Sequence, residues 1–388
     1  MTADYEGVAI SVPVSWGYRR RANQGAAYFL AGALRELLHR SGLRQSSVDG
    51  LAISSFTLAP DNAVGFTQYS GMSPRWLEDI PMGGACGVVA LRRAARAVQA
   101  GDAEVVACLA GDTANFGSFR GLMKNFSSSS RDFVYPYGAG GPNASFAMIA
   151  DNYMRSFGAR REDFGRIVVA QRSNAAAVPH ALLRKPIKMA DYLAARPIAE
   201  PIHLLDCVMP CAGAEGFLVM SQARARSLGL PYARLLSAIE RHNAFPDDTV
   251  QYRGGWLYDR ETLYAQAGVG PDMMDFVQTY DDYPVISMMQ FEDLGFCSKG
   301  EGPEFVRRHT LTVDGSFPHN TCGGQLSVGQ AGAAGGYLGL VEAVRQLTGN
   351  PLGHAVPEAR HGLVSGFGMI NYDRGLCTAA AVLGVGER

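Results

Sequence analysis

The chain has 388 residues, which predicts one large core or two fused domains. Apolar residues make up 47% of it, charged residues 18%, and the net charge is −1, which excludes the basic surface that binds nucleic acid or anionic membranes. The first residues lack a basic stretch followed by an apolar run, and no uncharged apolar run reaches about 18 residues, so we expect neither a signal peptide nor a membrane span.

The seven cysteines are scattered, odd in number and mostly set in apolar segments, which indicates reduced thiols in a cytoplasmic protein. Cys207 and Cys211 form a Cys-x-x-x-Cys pair, but no second pair of Cys or His lies near them. The ligands are too few for zinc, so we expect no metal in this chain.

The first half alternates amphipathic helices with short buried strands. Segment 25–43 has apolar residues at helical spacing and ends at a glycine, and a short strand follows at 48–56. A second helix is predicted at 88–102, leading into a strand at 103–111, and the alternation predicts a layered α/β fold. From about residue 113 to 210 the pattern loosens into Ser, Gly, Pro and Tyr, which predicts an excursion over the end of a sheet where ligands usually bind.

The second half repeats the pattern of the first. Segment 263–283 has the same order of helix, glycine, acidic turn and strand as 37–56, and 320–349 sets a glycine-rich turn before a helix as 83–102 does. We therefore expect a duplicated α/β unit with an N-terminal half at 1–225, a loop domain within it at about 113–210, and a C-terminal half at 226–388.

Four long segments, 134–175, 184–207, 280–305 and 320–336, resemble the thiolase superfamily in its sterol-carrier-protein and lipid-transfer branch. They occur in the order of that family, and the resemblance covers roughly residues 5 to 385. It implies a thiolase fold, which is a duplicated five-layer αβαβα sandwich with an inserted loop domain. It also implies a homodimer and a coenzyme A thioester substrate, with no other cofactor bound in this chain.

The chain departs from that family at the residues that carry its chemistry. A thiolase uses a cysteine nucleophile activated by a histidine, with a second cysteine for proton transfer. Counting back from Gly101 and Asp102, the nucleophile position falls on Gly84, and Gln330 stands where the histidine is expected. Near the C-terminus the Cys-x-Gly motif is missing, and Gly366 or Tyr372 takes its place depending on the gaps. Such a coordinated loss predicts different chemistry.

A subgroup of this branch, the thiolase-like acyl-CoA aldolases, has the same departures. The resemblance implies retro-aldol cleavage of a bulky β-hydroxyacyl-CoA, of steroid or aromatic side-chain type, with a small partner protein of OB fold and zinc ribbon. Tyrosines replace the usual groups there, so Tyr280 and Tyr372 are expected to transfer protons. Backbone amides near Gly84 and Gly324 are expected to hold the enolate oxygen, and Asn320 belongs to the same turn as Gly324.

Two alternatives stay open. Cys86 lies between glycines at a predicted helix start, where its thiol is a packing residue, a displaced nucleophile or a group lining the oxyanion site. The second of these roles would make the chain a β-ketoacyl-CoA thiolase or acyltransferase. The other alternative is a non-catalytic scaffold subunit of thiolase fold.

Several polar residues flank these positions. Asp281 either orients a tyrosine or caps a helix, and Asp282 is expected to cap a helix starting near Pro284. Gln330 can form hydrogen bonds but cannot titrate near neutrality. His319 is either a polar support of the site or a solvent-facing loop residue. The last two candidates, for contact with the coenzyme A phosphates, are Arg131 and Lys188.

Overall fold

The computed structural model describes residues 5–115, 117–118, 121–122 and 127–386. Its strands are β1 (Val8–Arg19), β2 (Gly50–Ser54), β3 (Trp76–Asp79), β4 (Val105–Asp112), β5 (Pro197–Ala199), β6 (Ile202–His203), β7 (Ala212–Ser221), β8 (Tyr232–His242), β9 (Phe276–Gln278), β10 (His361–Asn371) and β11 (Arg374–Val385). The first helices are α1 (Ala26–Ser41), α2 (Ala63–Ser70), α3 (Cys86–Ala100), α4 (Ser128–Phe133), α5 (Pro142–Phe157), α6 (Arg161–Asn174) and α7 (Met189–Leu193). They are followed by α8 (Gln222–Ser227), α9 (Trp256–Ala267), α10 (Pro284–Asp293), α11 (Gly302–Arg308), α12 (Gly324–Val328) and α13 (Gly335–Leu347).

The helices predicted in the first half form where expected, because glycines end them. α1 stops at Gly42 and α3 at Gly101, and both glycines have the left-handed backbone that closes a helix. The amide of Gly101 accordingly donates back to the carbonyl of Ala97. The strand that follows α3 is β4, one residue longer at its C-terminal end than predicted.

Within the described residues, the larger sheet has the strand order β3-β2-β4-β7-β1-β8-β11-β10-β9. The two halves of the chain each contribute a contiguous block of it. β1 and β8 join the blocks through three antiparallel residue pairs, Ala9 with Arg234, Ile10 with Ala233 and Ser11 with Tyr232. Parallel pairing of β2 with β4 in one block corresponds to that of β9 with β10 in the other. This is the arrangement that a duplicated unit predicts.

The helices lie in three layers around the two blocks. α1 packs on β1, β4 and β7, α9 packs on β8 and β11, and α3 and α13 pack against each other between the blocks. Three separate hydrophobic clusters fill the spaces between these layers. The predicted five-layer α/β sandwich is confirmed, whereas the domain boundaries at 225 and at 113–210 stay a prediction. None of the described helices has both the length and the apolar character that crossing a membrane requires.

Candidate active site

A cleft of about 1110 Å³, part of it open to solvent, lies where β4, the turn before α3 and the C-terminal hairpin meet. The excursion after β4 forms one wall of it, through residues such as Val134, Pro142 and Phe146. Its floor is the Gly83–Gly84 turn, and its polar groups include Tyr280, Asp282, Gln330 and Tyr372. The excursion, Tyr280 and Tyr372 thus lie where the sequence places them, at one end of the sheet.

Tyr280 lies directly over Gly84. A Cβ atom added to Gly84 would come within 2.1 Å of the Cε2 and Cζ atoms of the Tyr280 ring. A side chain at residue 84 and the present position of the tyrosine therefore exclude each other, since real Cβ contacts are longer than 3.0 Å. The phenol ring occupies the space that a nucleophilic side chain would need.

The backbone of Tyr280 is held by the buried side chain of Gln290, from α10. The Gln290 amide accepts from the N–H of Tyr280 at 3.2 Å and donates to its carbonyl at 2.8 Å. The hydroxyl of Ser365, from β10, donates to the same amide oxygen at 2.6 Å and thereby fixes the orientation of the amide. Tyr280 lies just beyond the end of β9, and the Gln290 side chain makes the two backbone hydrogen bonds that a neighbouring strand would make there.

The Tyr280 hydroxyl, the Asp282 carboxylate and the Gln330 amide form one hydrogen-bonded group. Nε2 of Gln330 donates to the Tyr280 hydroxyl at 3.2 Å and also to Oδ1 of Asp282. The backbone of Gln330 is fixed in turn by Met209 and Cys211, each through a 2.9 Å hydrogen bond. An amide that cannot titrate therefore positions two groups that can.

Burial dominates the electrostatics of this group. It raises the pKa of Asp282 to about 7, with the negative charge of Asp281 adding to the shift and the hydrogen bond from Tyr280 opposing it. Burial, followed by the Asp282 charge, raises the pKa of Tyr280 well above its ordinary value. Tyr280 is accordingly a neutral phenol at physiological pH, while Asp282 titrates close to neutrality.

Tyr372 reaches the cleft from the turn between β10 and β11, where it is half exposed. Its φ of 61° is in the left-handed region, which costs a non-glycine residue about 1–3 kcal/mol unless its surroundings hold it there. Contacts of the flanking residues hold Tyr372 in this conformation. On one side, the hydroxyls of Ser127 and Ser130 donate to the side chain of Asn371. On the other side the Arg374 guanidinium donates to the carbonyl of Phe245 at 2.7 Å.

Asp112, at the end of β4, is a cleft residue that the sequence analysis missed. Its buried carboxylate accepts hydrogen bonds from Ser55 at 2.8 Å, from the hydroxyl and the amide of Thr57, and from the amide of Phe56. The amide of Ala333, in the other half of the chain, donates to it at 2.7 Å. No sequence signal marked this aspartate, because its donors come from two distant segments.

Cys86 is placed in the core. It is fully buried, it is not among the residues lining the cleft, and its Sγ donates to the carbonyl of Ala333 at 3.2 Å. Burial raises the pKa of the thiol to about 12, so the reactive thiolate is scarce at neutral pH. Of the three roles considered for Cys86, the structure favours packing and gives no support to a displaced nucleophile or to a group lining the oxyanion site.

Gly324, Asn320, Asp281 and His319 lie away from the cleft, in a separate interior region of the C-terminal half. Asp281 accepts hydrogen bonds from the amides of Gln325 and Leu326, so it caps α12 rather than orienting Tyr280. A Cβ atom on Gly324 would meet the Asp281 carboxylate at 2.1 Å, and Gly324 is not among the residues that line the cleft, so the expected oxyanion role of its amide has no support.

Asn320 and His319 both hold Thr279, the residue before Tyr280. The Asn320 side chain accepts from the amide of Thr279 at 2.8 Å, and Nε2 of His319 pairs with its hydroxyl at 2.8 Å. Burial lowers the pKa of His319 to about 3. The alternative of a solvent-facing histidine is therefore wrong, and neither residue touches the space that a substrate would enter.

The expected role of Asp282 as a helix cap is also wrong. α10 begins at Pro284 as predicted, but the residue at its cap is Tyr283, and no side chain caps it. Asp282 turns instead into the cleft because Gln330 binds its carboxylate. Arg131 pairs with the neighbouring Asp132, Lys188 is exposed before α7, and neither lines the cleft. Across the described ranges, no cluster of three or more His, Cys, Asp and Glu suits a metal ion.

Known proteins match this chain over most of its length. A protein-family model described as thiolase C-terminal domain-like matches residues 260–378. A steroid side-chain-cleaving aldolase of Thermomonospora curvata is 33% identical over 80% of this chain and 82% of its own length. The 17-hydroxy-3-oxo-4-pregnene-20-carboxyl-CoA lyase of Mycobacterium tuberculosis is 33% identical over 90% of this chain and 93% of its own. The chain belongs to the thiolase-like acyl-CoA aldolases.

Solved structures agree with this family. The enzyme superimposes on the Ltp2-ChsH2(DUF35) aldolase with a TM-score of 0.83 and 28% identity, covering 98% of each chain. A monomeric SCP2-thiolase like protein type 1 from Mycobacterium smegmatis gives 0.73 at 14% identity, covering 100% of this chain and 79% of its own, which supports the fold alone. The predicted thiolase-like resemblance and the predicted carbon–carbon lyase acting on an acyl-CoA are confirmed.

Proposed function

We propose that this enzyme cleaves a β-hydroxyacyl-CoA whose acyl part is bulky and ring-containing, with Tyr280 and Tyr372 as its proton-transfer groups. The observation that carries this proposal is the phenol of Tyr280 seated over Gly84, hydrogen-bonded to Gln330 and facing the cleft. Retro-aldol cleavage needs a group to take the β-hydroxyl proton and a site for the enolate oxygen, but no covalent acyl-enzyme.

The Tyr280 oxygen accepts the proton of the β-hydroxyl as the phenol gives up its own proton to an acceptor in the cleft, the C–O bond becomes a carbonyl, and the bond between Cα and Cβ breaks. The electron pair of that bond passes to the thioester, forming an enolate whose oxygen is held by backbone amides of the Gly83–Gly84 turn. Tyr372 then donates a proton to Cα, which releases a ketone or aldehyde and a shorter acyl-CoA.

Two facts support a bulky acyl part. The relatives named above act, by their names, on steroid side chains. The lining of the cleft is also rich in apolar side chains, which suit a fused-ring hydrocarbon; they include Leu122, Val134, Phe146, Phe367, Met369 and Ile370.

We also propose a small partner protein of the DUF35 type, with the predicted OB fold and zinc ribbon. Its support is the solved aldolase of 28% identity, whose name pairs two components. A homodimer and a cytoplasmic location stay predictions. Light scattering of the purified chain, alone and with a purified DUF35 protein, tests the dimer and the partner together.

The deciding experiment incubates the enzyme, with and without the partner, with steroid-type β-hydroxyacyl-CoA and β-ketoacyl-CoA substrates. We expect release of a ketone from the hydroxy substrate and no thiol-dependent cleavage of the keto substrate. Tyr280→Phe is expected to lower kcat by about 10²- to 10⁴-fold, because the proton-transfer group is lost. Full activity of Tyr280→Phe, or thiolysis by the wild type, would contradict the proposal.

A further inference from the structure

The cleft offers few groups that can accept a proton. Of the described residues that line it, none is Lys, Arg or His, and the carboxylates are those of Asp112 and Asp282. The Asp112 carboxylate is occupied by donors from Ser55, Phe56, Thr57 and Ala333. Among the described residues, the donors to Asp282 are the side chains of Gln330 and Tyr280, which leaves acceptor positions of its carboxylate unfilled.

Tyr280 cannot serve as the base on its own. Its hydroxyl accepts a hydrogen bond from Gln330 and bonds to Asp282, and burial keeps it a neutral phenol. A neutral phenol accepts the substrate's proton only if its own proton leaves at the same time. The Asp282 carboxylate, bound by the same Gln330 amide that binds the phenol and lining the same cleft, is the nearby destination for that proton.

We propose, on the basis of the proposed function, that Asp282 is the final proton acceptor of the retro-aldol step and that Tyr280 relays the proton to it. As the β-hydroxyl proton moves to the Tyr280 oxygen, the phenol proton moves to Asp282. Tyr280 is neutral before and after, the carboxylate becomes a carboxylic acid, and the negative charge passes to the enolate. When Tyr372 has protonated Cα, Asp282 returns its proton to solvent and Tyr372 regains one.

The surroundings of Asp282 suit this role. The groups that set its charge are Tyr280, which stabilises the carboxylate, the neutral Gln330 from the α12–α13 connection, and Asp281, which repels it. Tyr283 packs next in sequence, with its hydroxyl directed to Asn143 of α5. The pKa of about 7 that results lets the group exist as an acceptor at neutral pH and as an acid after the step.

The adjacent aspartate offers a matched control. Asp281 is next in sequence and more deeply buried than Asp282, and its carboxylate binds the amides of Gln325 and Leu326 away from the cleft. Asp282→Asn preserves the acceptor for Gln330 and removes only the proton affinity. Asp281→Asn changes the same chemical group outside the relay.

The test is the dependence of kcat/KM on pH for the wild-type enzyme, Asp282→Asn, Asp282→Glu and Asp281→Asn, on the steroid-type β-hydroxyacyl-CoA. In the wild type we expect kcat/KM to rise with pH through about 7, as the Asp282 carboxyl loses its proton. Asp282→Asn is expected to lose about 10²- to 10⁴-fold in kcat and to lose this rise. Asp282→Glu should recover part of the rate and the rise, and Asp281→Asn should retain the rate and the rise, with the rise moved to lower pH because the Asp281 charge no longer raises the pKa of Asp282.

The outcomes separate failure of the relay from failure of the proposed function. If the wild type cleaves the substrate while Asp282→Asn keeps its rate and its pH profile, the relay is wrong and the proposed function stands. If Asp281→Asn loses the rise as Asp282→Asn does, the rise reports stability rather than the relay, and the proposal is wrong. If the wild type with its partner cleaves no β-hydroxyacyl-CoA, the proposed function itself falls, and the relay with it.

Discussion

The ring of Tyr280 occupies the volume that any side chain at residue 84 would take, at a distance of 2.1 Å from the Cβ position of Gly84. The glycine is needed here for space and not for backbone freedom, because its φ is outside the left-handed region. A nucleophilic cysteine at residue 84 and a proton-transferring tyrosine at 280 are thus alternative occupants of one place, which ties the loss of the first to the gain of the second.

Gly84→Ala is therefore expected to displace Tyr280. Over-packing of this kind costs about 1–3 kcal/mol, and the carbonyl of Phe367, 2.3 Å from the added Cβ, blocks an alternative position. We expect a lower melting temperature together with a loss of kcat, measured by thermal unfolding and by product release.

Gly25→Ala is the control, since nothing lies within 4 Å of the Cβ position of that exposed glycine. It should cost less than about 1 kcal/mol and leave kcat unchanged. Equal activity of Gly84→Ala and Gly25→Ala would show that Tyr280 does not depend on the space over Gly84.

Cys86→Ala should leave the reaction intact. The thiol is buried between α3 and α13 and donates to Ala333, so its loss removes packing and one weak hydrogen bond. We expect a destabilisation of about 1 kcal/mol and a kcat/KM within about twofold of the wild type. If Cys86→Ala loses turnover but still unfolds cooperatively, the result would support the alternative in which Cys86 is the nucleophile of a thiolase.

Asp282→Asn should make the protein more stable at alkaline pH while it lowers kcat. Because the pKa of Asp282 is raised from 3.8 to about 7 on folding, the folded state binds a proton that the unfolded state has released between those values. The wild type therefore loses stability as pH rises through this range, by up to about 4 kcal/mol. Asparagine carries no such proton, and its free energy of unfolding should exceed that of the wild type near pH 8 but not near pH 4.

Chemical denaturation at both pH values measures this difference. A variant that gains nothing at the higher pH would mean that the carboxylate is not held at a raised pKa in the folded enzyme.

Gln290→Met tests the support of Tyr280 from behind. The substitution keeps the volume but leaves the N–H and carbonyl of Tyr280 without partners, which costs about 1–3 kcal/mol for each buried group. Because the tyrosine then loses its fixed position, kcat should fall more than KM rises.

The matched control is Gln346→Met, a buried glutamine of α13 that bonds Glu342 and Val356 outside the cleft. It should lose stability to a similar extent and keep its kcat. If kcat falls equally in both variants, Gln290 contributes to stability and has no specific role in positioning Tyr280.

The sequence predicted those features that depend on residues close together in the chain. Glycines at 42 and 101 ended the helices where predicted, and the repeated turn-and-helix pattern predicted two equivalent blocks of sheet. The spacing from Asp102 identified Gly84 and not Cys86 as the position facing the site, and the structure agrees by placing only the former at the cleft.

The direction of a side chain on an irregular segment could not be read in the same way. Asp281 and Asp282 are neighbours of one chemical type, and only the distant partners Gln325 and Gln330 decide which of them enters the cleft. Asp112 depends likewise on a contact across 221 residues, to Ala333. Such roles are set by the tertiary fold, and no short-range pattern encodes them.

The hydrogen bond from Ala333 to Asp112 has a consequence for how the two halves depend on each other. Burial raises the pKa of Asp112, and the hydrogen bonds that oppose this shift come from both halves, so they are complete only when the halves are docked. If the chain were divided between β7 and β8, Asp112 would be in one fragment and Ala333 in the other. The reassociation of the two fragments should therefore depend on whether Asp112 is ionised.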